Sequence, residues 1–386
     1  MTLERQHTKG LLSLSFLSRT LIYLCAFWIS SSSPLFDASP NLVQLSKWLK
    51  PLFRWDVFHF AHIAEHGYVY EHEWAFFPGL PWIMSFFNTS DALLITSMVA
   101  IACDTTIVLY HLTLHHFGSP NFAFLAALLS LLSSSPAALR LAPYNEPFFT
   151  YLSYRGLLFC AQSKWFLATI CFCLATTFRS NGILLSGYIL WGLLVEPLLT
   201  TAITSMRLDV YAKSIAYSAM IFAPFIYHQM TGYLAFCTGA AMNTPSWCTQ
   251  SLPLIYSHVQ STYWNVGFLR YWTLAQLPNF LIAAPPFMVI FAYSVLILQR
   301  WTKGDRSKSV VAVVPHAIHA CVLCCMLLFN SHVQIVLRLA PSMPLLYWAV
   351  AWLVTDHARV AKWWVGWSII WGSLSILLWS TFLPPA

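Results

Sequence analysis

The chain has 386 residues, 58% of them hydrophobic and 9% charged, with a mean hydropathy of +0.64. Soluble domains carry roughly a quarter charged residues, so this composition excludes an ordinary soluble domain and points to a polytopic membrane protein. The net charge of +7 needs no nucleic-acid partner, because the placement of lysine and arginine along a membrane topology accounts for it.

Apolar runs of the length a bilayer requires, about twenty residues, recur throughout. In chain order the expected spans are 11–29, 91–109, 121–139, 146–161, 164–178, 183–199, 211–228, 276–298, 309–329, 343–355 and 364–382. The first lacks a small-residue cleavage site before Ser30–Pro34 and is read as a retained helix. With the N-terminus cytoplasmic, eleven lysines and arginines fall on the cytoplasmic side and seven on the other, and QRWTKGDRSK is the clearest cytoplasmic loop. The chain is thus expected to form a single multi-spanning domain, 1–386, with large non-cytoplasmic loops at 30–90 and 229–275.

In the first loop, NLVQLSKWLKPLF places Leu42, Leu45, Leu49 and Leu52 at helical spacing with Trp48 beside them. Lys47, Lys50 and Arg54 take another face, a pattern that suits a helix lying in the headgroup layer. Asn88-Thr-Ser has the pattern of a glycosylation sequon, yet it abuts the next span and is expected to stay unmodified. Cysteines within spans read as small buried apolar residues. Cys237 and Cys248 share the second loop, where an oxidising compartment can join them or leave them free.

Titratable groups concentrate in RWDVFHFAHIAEHGYVYEHEWAFFP, residues 54–78, which holds four acids and four histidines. Asp56 stands where a helix N-cap belongs, residues 59, 62, 63 and 66 share one face of that helix, and Gly67 ends it. Glu65 reads as part of a solvated or interfacial face, as His62 and His66 can; His59, His62 and His66 with a glutamate could instead ligate zinc, but their spacing matches no zinc motif. Polar residues gather in loops on one side rather than at matched breaks in two halves, which speaks against a channel or symmetric transporter.

WDVFHFAHIAEHGYVYEHEWAFFPGLP resembles the first luminal loop of the GPI mannosyltransferase II family. APYNEPFF at 142–149, FRSNGIL at 178–184 and HVQIVLRLAPSMPLLYW at 332–348 continue the likeness, whereas 229–275 matches no piece of it. The resemblance implies an all-α GT-C glycosyltransferase bundle of about eleven transmembrane helices in the endoplasmic reticulum membrane, with a luminal active site. It implies transfer of the second mannose, α-1,6, from dolichol-phosphate mannose to a one-mannose GPI glycolipid, and a small membrane-protein subunit as partner. Asp56 matches the family's acid in the first luminal loop.

Inversion at the sugar carbon needs one displacement and one carboxylate base, the role expected of Asp56. The leaving phosphate needs fixed positive charge rather than a metal or cofactor, which points to Arg179 and Arg338 beside their polar neighbours Asn181 and Gln334. His59, Glu71, His72 and Glu73 are expected at the substrate; Glu146 either caps its helix or binds sugar hydroxyls. Asp104 and Glu196 read as structural residues toward cytoplasmic span ends. Alternatives are another dolichol-phosphate-sugar-dependent GT-C enzyme, as in N-glycan precursor assembly, and a non-catalytic lipid-handling subunit.

Overall fold

A computed structural model describes residues 3–39, 43, 45–200, 208–238 and 244–384. Among these residues every regular element is helical. Helix α1 (Leu3–Ser32) leads through a 3₁₀ turn (Lys50–Leu52) to α2 (Asp56–His66), a 3₁₀ turn (Glu71–Ala75) and α3 (Gly79–Met84). Next come α4 (Thr89–Ala102), α5 (Thr106–Phe117), α6 (Pro120–Leu129), α7 (Asn145–Ala161) and α8 (Trp165–Thr176). A broken segment follows: a 3₁₀ turn (Ser180–Leu185), α9 (Ser186–Leu190), a π-helical turn (Trp191–Val195) and α10 (Glu196–Thr200). The remainder is α11 (Leu208–Cys237), α12 (Ile255–Tyr263), α13 (Leu277–Thr302), α14 (Lys308–Asn330), α15 (Ile335–Leu339), α16 (Pro344–Asp356) and α17 (Ala358–Ser380).

A helix stands at each of the eleven expected segments, but among the described residues only five are long and apolar enough to span a membrane unaided. The count becomes six if 335–342 and 344–356, bent by 83°, form one span. The expected 91–109 span in fact runs on to Phe117 through a break at 103–105. Asp104 therefore sits at mid-span, where Arg19 of α1 pairs with it at 2.8 Å, and not toward a cytoplasmic end. The expected 121–139 helix stops at Leu129, because serines 133–135 and Pro136 favour non-helical backbone.

Part of the expected interfacial helix, residues 41, 42 and 44, lies outside the described residues. The described part forms only a turn and the 3₁₀ helix that begins at Lys50, with Pro51 at its start. Arg54 leaves the polar face assigned to it and is 1% exposed. Its guanidinium donates to the carbonyls of Lys50, Phe53 and Ser380 and to Ser30 Oγ, which offsets the cost of burial.

Local signals set the ends. Gly67, at φ 73°, closes α2, and Gly118, at φ 68°, closes α5. Ser119 caps α6 through Phe122 N–H at 3.3 Å, with Pro120 at the first helical position. Asn88 caps α4 through Asp91 N–H at 3.0 Å, and its amide also donates to the Asp91 carboxylate at 2.7 Å. Cys237 and Cys248 form a disulfide. Helices α7 and α8 form a tight pair, and α11 packs on α8. Two ten-residue segments are buried throughout, 141–150 and 342–351, and the second packs against α6, α13 and α17. Arg338 is delivered by the turn just before it, Glu146 by the start of α7, and Arg179 by the link after α8.

In that link the chain doubles back so closely that a Cβ on Gly182 would lie 2.7 Å from Thr176 Cα. Gly182→Ala is expected to destabilise the fold by about 1–3 kcal/mol. The measurement is the thermal midpoint of the detergent-extracted protein; an unchanged midpoint would show that the link yields.

Candidate active site

Trp55 adopts φ 52°, ψ −120°, a backbone state that β-carbon-bearing residues rarely hold. Strain of this kind, about 1–3 kcal/mol, needs strong anchors on either side. One is Arg54, locked to the end of α17 and stacked 5.5 Å over the Phe382 ring. The other is Tyr144, whose hydroxyl donates to Arg54 O at 3.2 Å and accepts from Asp56 N–H at 3.0 Å. Burial, and then the Asp56 charge, push the Tyr144 phenol well above its usual pKa, so it stays a donor.

Asp56 is the first residue of α2, not its cap: Trp55 is the N-cap and no side chain caps the helix. The carboxylate turns instead to Arg338. Arg338 Nη2 donates to Asp56 Oδ2 at 2.8 Å and Nε donates to Glu146 Oε1 at 2.6 Å, while its guanidinium lies 5.4 Å over the Tyr144 ring. Arg179 Nη1 donates to the same Glu146 oxygen at 2.5 Å, and its Nε to Asn181 Oδ1 at 3.4 Å. The result is a line of alternating charge, Asp56–Arg338–Glu146–Arg179, with Glu146 only 5% exposed at its centre. No described residue hydrogen-bonds Asp56 Oδ1. Asn145 Oδ1, Glu146 Oε2, Asn181 Nδ2 and Gln334 Oε1 are buried without a hydrogen-bond partner among the described residues. Polar atoms so placed are costly unless something else meets them.

Asp56, Arg179 and Arg338 line a cleft of about 200 Å³, closed by Tyr256, Gln260 and Trp264 from the second large loop. Ser180 donates to the Tyr256 hydroxyl at 2.9 Å. Polar groups among aromatic rings suit a sugar, which offers hydroxyls at its edge and C–H groups on its faces.

The expected site residues divide into two groups. Asp56, Glu146, Arg179, Asn181 and Arg338 converge, and Gln334 lies one turn before Arg338. His59, one turn past Asp56, stacks on Phe76 at 4.6 Å, and burial lowers its pKa against the opposing pull of Asp56. His72 lies edge-on to His59 at 5.8 Å. Glu73 faces inward: it accepts from Val69 N–H at 2.7 Å and Tyr70 N–H at 2.9 Å, and pairs with His62 at 2.6 Å. Glu71 joins the two loops, accepting from Trp247 Nε1 at 2.6 Å and Tyr263 Oη at 3.1 Å beside His258 at 3.3 Å.

Sequence reasoning passed over Tyr144, inside a motif it quoted, and the second-loop residues 256, 260 and 264. The last three repeat every fourth position, a helical signal that was present but had no recognised motif around it.

A carboxylate with one oxygen held by Arg338 and the other free, in a polar cleft of a helical membrane bundle, is an arrangement that suits a membrane glycosyltransferase, and sequence similarity places the chain in that class. Residues 11–386 match the family described as "Mannosyltransferase (PIG-V)", and the chain belongs to that family. It is 32% identical to GPI mannosyltransferase 2 of Cryptococcus neoformans, strain JEC21, over 96% of each chain. It is 33% identical to GPI alpha-1,6-mannosyltransferase 2 of Cricetulus griseus, over 86% of this chain and 79% of that one. Among solved structures, the apo oligosaccharyltransferase of Archaeoglobus fulgidus aligns with TM-score 0.43 and 12% identity, covering 95% of this chain and 56% of that chain.

Because Glu71 holds the second loop against the first, Glu71→Ala is expected to loosen that loop. Limited proteolysis should then cut within 244–263 at least several-fold faster than in the parent protein. Equal rates would show that the loop is held without Glu71.

Proposed function

We propose that the protein transfers the second mannose, in α-1,6 linkage, from dolichol-phosphate mannose to the one-mannose GPI intermediate, on the luminal side of the endoplasmic reticulum membrane. The names of the similar proteins support the acceptor and linkage. The observation that carries the chemistry is the Asp56 carboxylate, with one oxygen fixed by Arg338 and the other free at the cleft. In this reading Asp56 Oδ1 takes the proton of the attacking hydroxyl as that oxygen bonds to the sugar carbon. The bond from this carbon to the lipid phosphate oxygen breaks, and the electron pair leaves with a phosphomonoester. Inversion follows from the single displacement.

Arg338 orients the base and, with Arg179, keeps N–H donors for the phosphate, whose charge grows as the sugar departs. Glu146 holds both arginines in register, and its free oxygen is available to a sugar hydroxyl. The lipid monophosphate leaves without a metal in this scheme. His59 and His72 border the acceptor side, Glu71 and Glu73 hold the loops that shape it, and Asn181 and Gln334 flank the arginines. The chain acts as a single GT-C-type membrane domain whose loops 30–90 and 229–275 form the luminal cap. A small membrane-protein subunit belongs to the same reading on resemblance alone.

Transfer from labelled dolichol-phosphate mannose to a defined one-mannose GPI acceptor tests the reading. Asp56→Asn preserves size and should lower turnover about a hundredfold or more with near-normal protein level; full activity would remove Asp56 as the base. Arg338→Lys cannot bridge two carboxylates and should lower both turnover and donor affinity, by about tenfold or more in kcat/KM. Wild-type kinetics in that variant would place the phosphate elsewhere. Single cysteines introduced at positions 65 and 303 should react with an impermeant reagent from the lumen and the cytosol respectively, and the reverse pattern would overturn the luminal assignment.

A further inference from the structure

A polar-rimmed cavity separate from the Asp56 cleft lies at the other end of α7. It encloses about 400 Å³ and is lined by residues ending α5 and α7, by the π-helical turn, and by the start of α14. Helix α7 places Glu146 at the catalytic network and Cys160 at this cavity, so the two sites stand roughly 20 Å apart along the helix. The cavity is independent of the mannosyl-transfer reading.

Its chemistry is that of an anion site. Arg306 and Lys308 are exposed at the rim, directly before and at the start of the 23-residue α14, whose N-cap Ser307 makes no side-chain cap. A helix start of this kind attracts negative charge. The nearby acid, Asp305, is taken up by Arg300 at 2.7 Å and by Ser307 N–H at 3.0 Å. Arg306 is braced by the Trp301 carbonyl at 2.5 Å and the Trp301 ring at 5.3 Å, and Lys308 forms no ion pair among the described residues. Glu196 also lines the cavity and has interactions of its own.

A second, independent observation comes from inside. His116, 8% exposed, lines the cavity, and its Nε2 is buried with no hydrogen-bond partner among the described residues. His316, 4% exposed, stands edge-on to it at 5.4 Å and is tied to Tyr188 Oη at 3.4 Å. Leu157, Val311 and Pro315, with Trp165 and Trp191 beside them, make an apolar stretch of the wall, which His115 and Ser163 interrupt. Tryptophans of membrane proteins gather at headgroup depth. The π-helical turn shapes this wall: Gly192 lies so close to Trp165 that an added Cβ would sit 2.0 Å from the indole. Such turns are concentrated at functional sites.

We propose that this cavity binds the phosphoryl headgroup of an anionic phospholipid from the leaflet opposite the catalytic cleft. Lys308 and Arg306 meet the phosphate, His116 Nε2 meets a headgroup oxygen, and the apolar wall takes the start of the acyl chains. A basic rim over an apolar wall favours a lipid over a soluble phosphate.

The full-length protein in neutral detergent tests this, with thermal unfolding and native mass spectrometry as readouts. Phosphatidylinositol is expected to raise the midpoint by about 4 °C and to stay bound at one copy, whereas phosphatidylcholine and inorganic phosphate do neither. The Arg306→Gln/Lys308→Gln double variant alters only exposed side chains, so it should fold and lose most of the shift. Ala312→Phe fills the cavity without changing charge and should lose it too, while Lys308→Arg should keep it. An undiminished shift in both the double variant and Ala312→Phe overturns the site. An equal shift with phosphatidylcholine or with inorganic phosphate alone overturns the anionic lipid as its occupant.

Discussion

Glu146 is the group on which the rest of the site depends. It is 5% exposed, and one of its oxygens accepts from two arginines that arrive from distant parts of the chain. A buried carboxylate is costly unless opposite charge matches it. Removing either arginine would leave an uncompensated charge, so both are held where Glu146 requires them. Arg338 then carries the constraint to Asp56 and fixes one of its oxygens. The Asp56 carboxylate is thus oriented by the protein alone, a preorganised charge at the edge of the cleft.

The same logic explains the strained backbone at Trp55. Asp56 begins a helix whose approach must turn sharply, and an unfavourable φ is tolerated because Arg54 and Tyr144 hold both sides of the bend. Arg54 looked like a headgroup contact in the sequence and became the most deeply buried cation near the site. Its position is set by carbonyls, which composition does not reveal.

What the sequence made legible follows the range of the forces involved. Helices at the expected segments were readable because hydropathy is local. Asp104 resembled a span end because an acid in apolar surroundings signals one; its partner, Arg19, is 85 positions away and unrelated by any pattern. The 121–139 segment passed as a span on composition, although its serines and proline cannot continue the helix beyond Leu129. At the site, Asp56 was found through a motif, but its pairing with Arg338 crosses 282 positions. The N-cap role assigned to Asp56 was the best local account, and a tertiary ion pair displaced it. Residues 256, 260 and 264 were visible as a helical face, yet only the folded loop shows that this face closes a cleft.

The contact between Arg54 and the carbonyl of Ser380 ties the approach to α2 to the end of α17. Until α17 docks, Arg54 lacks one of its acceptors and Trp55 lacks the Phe382 ring that stacks on it at 5.0 Å. The strained bend before Asp56 is therefore closed by a contact between residues 326 positions apart, so its geometry is a late product of tertiary packing rather than of local structure.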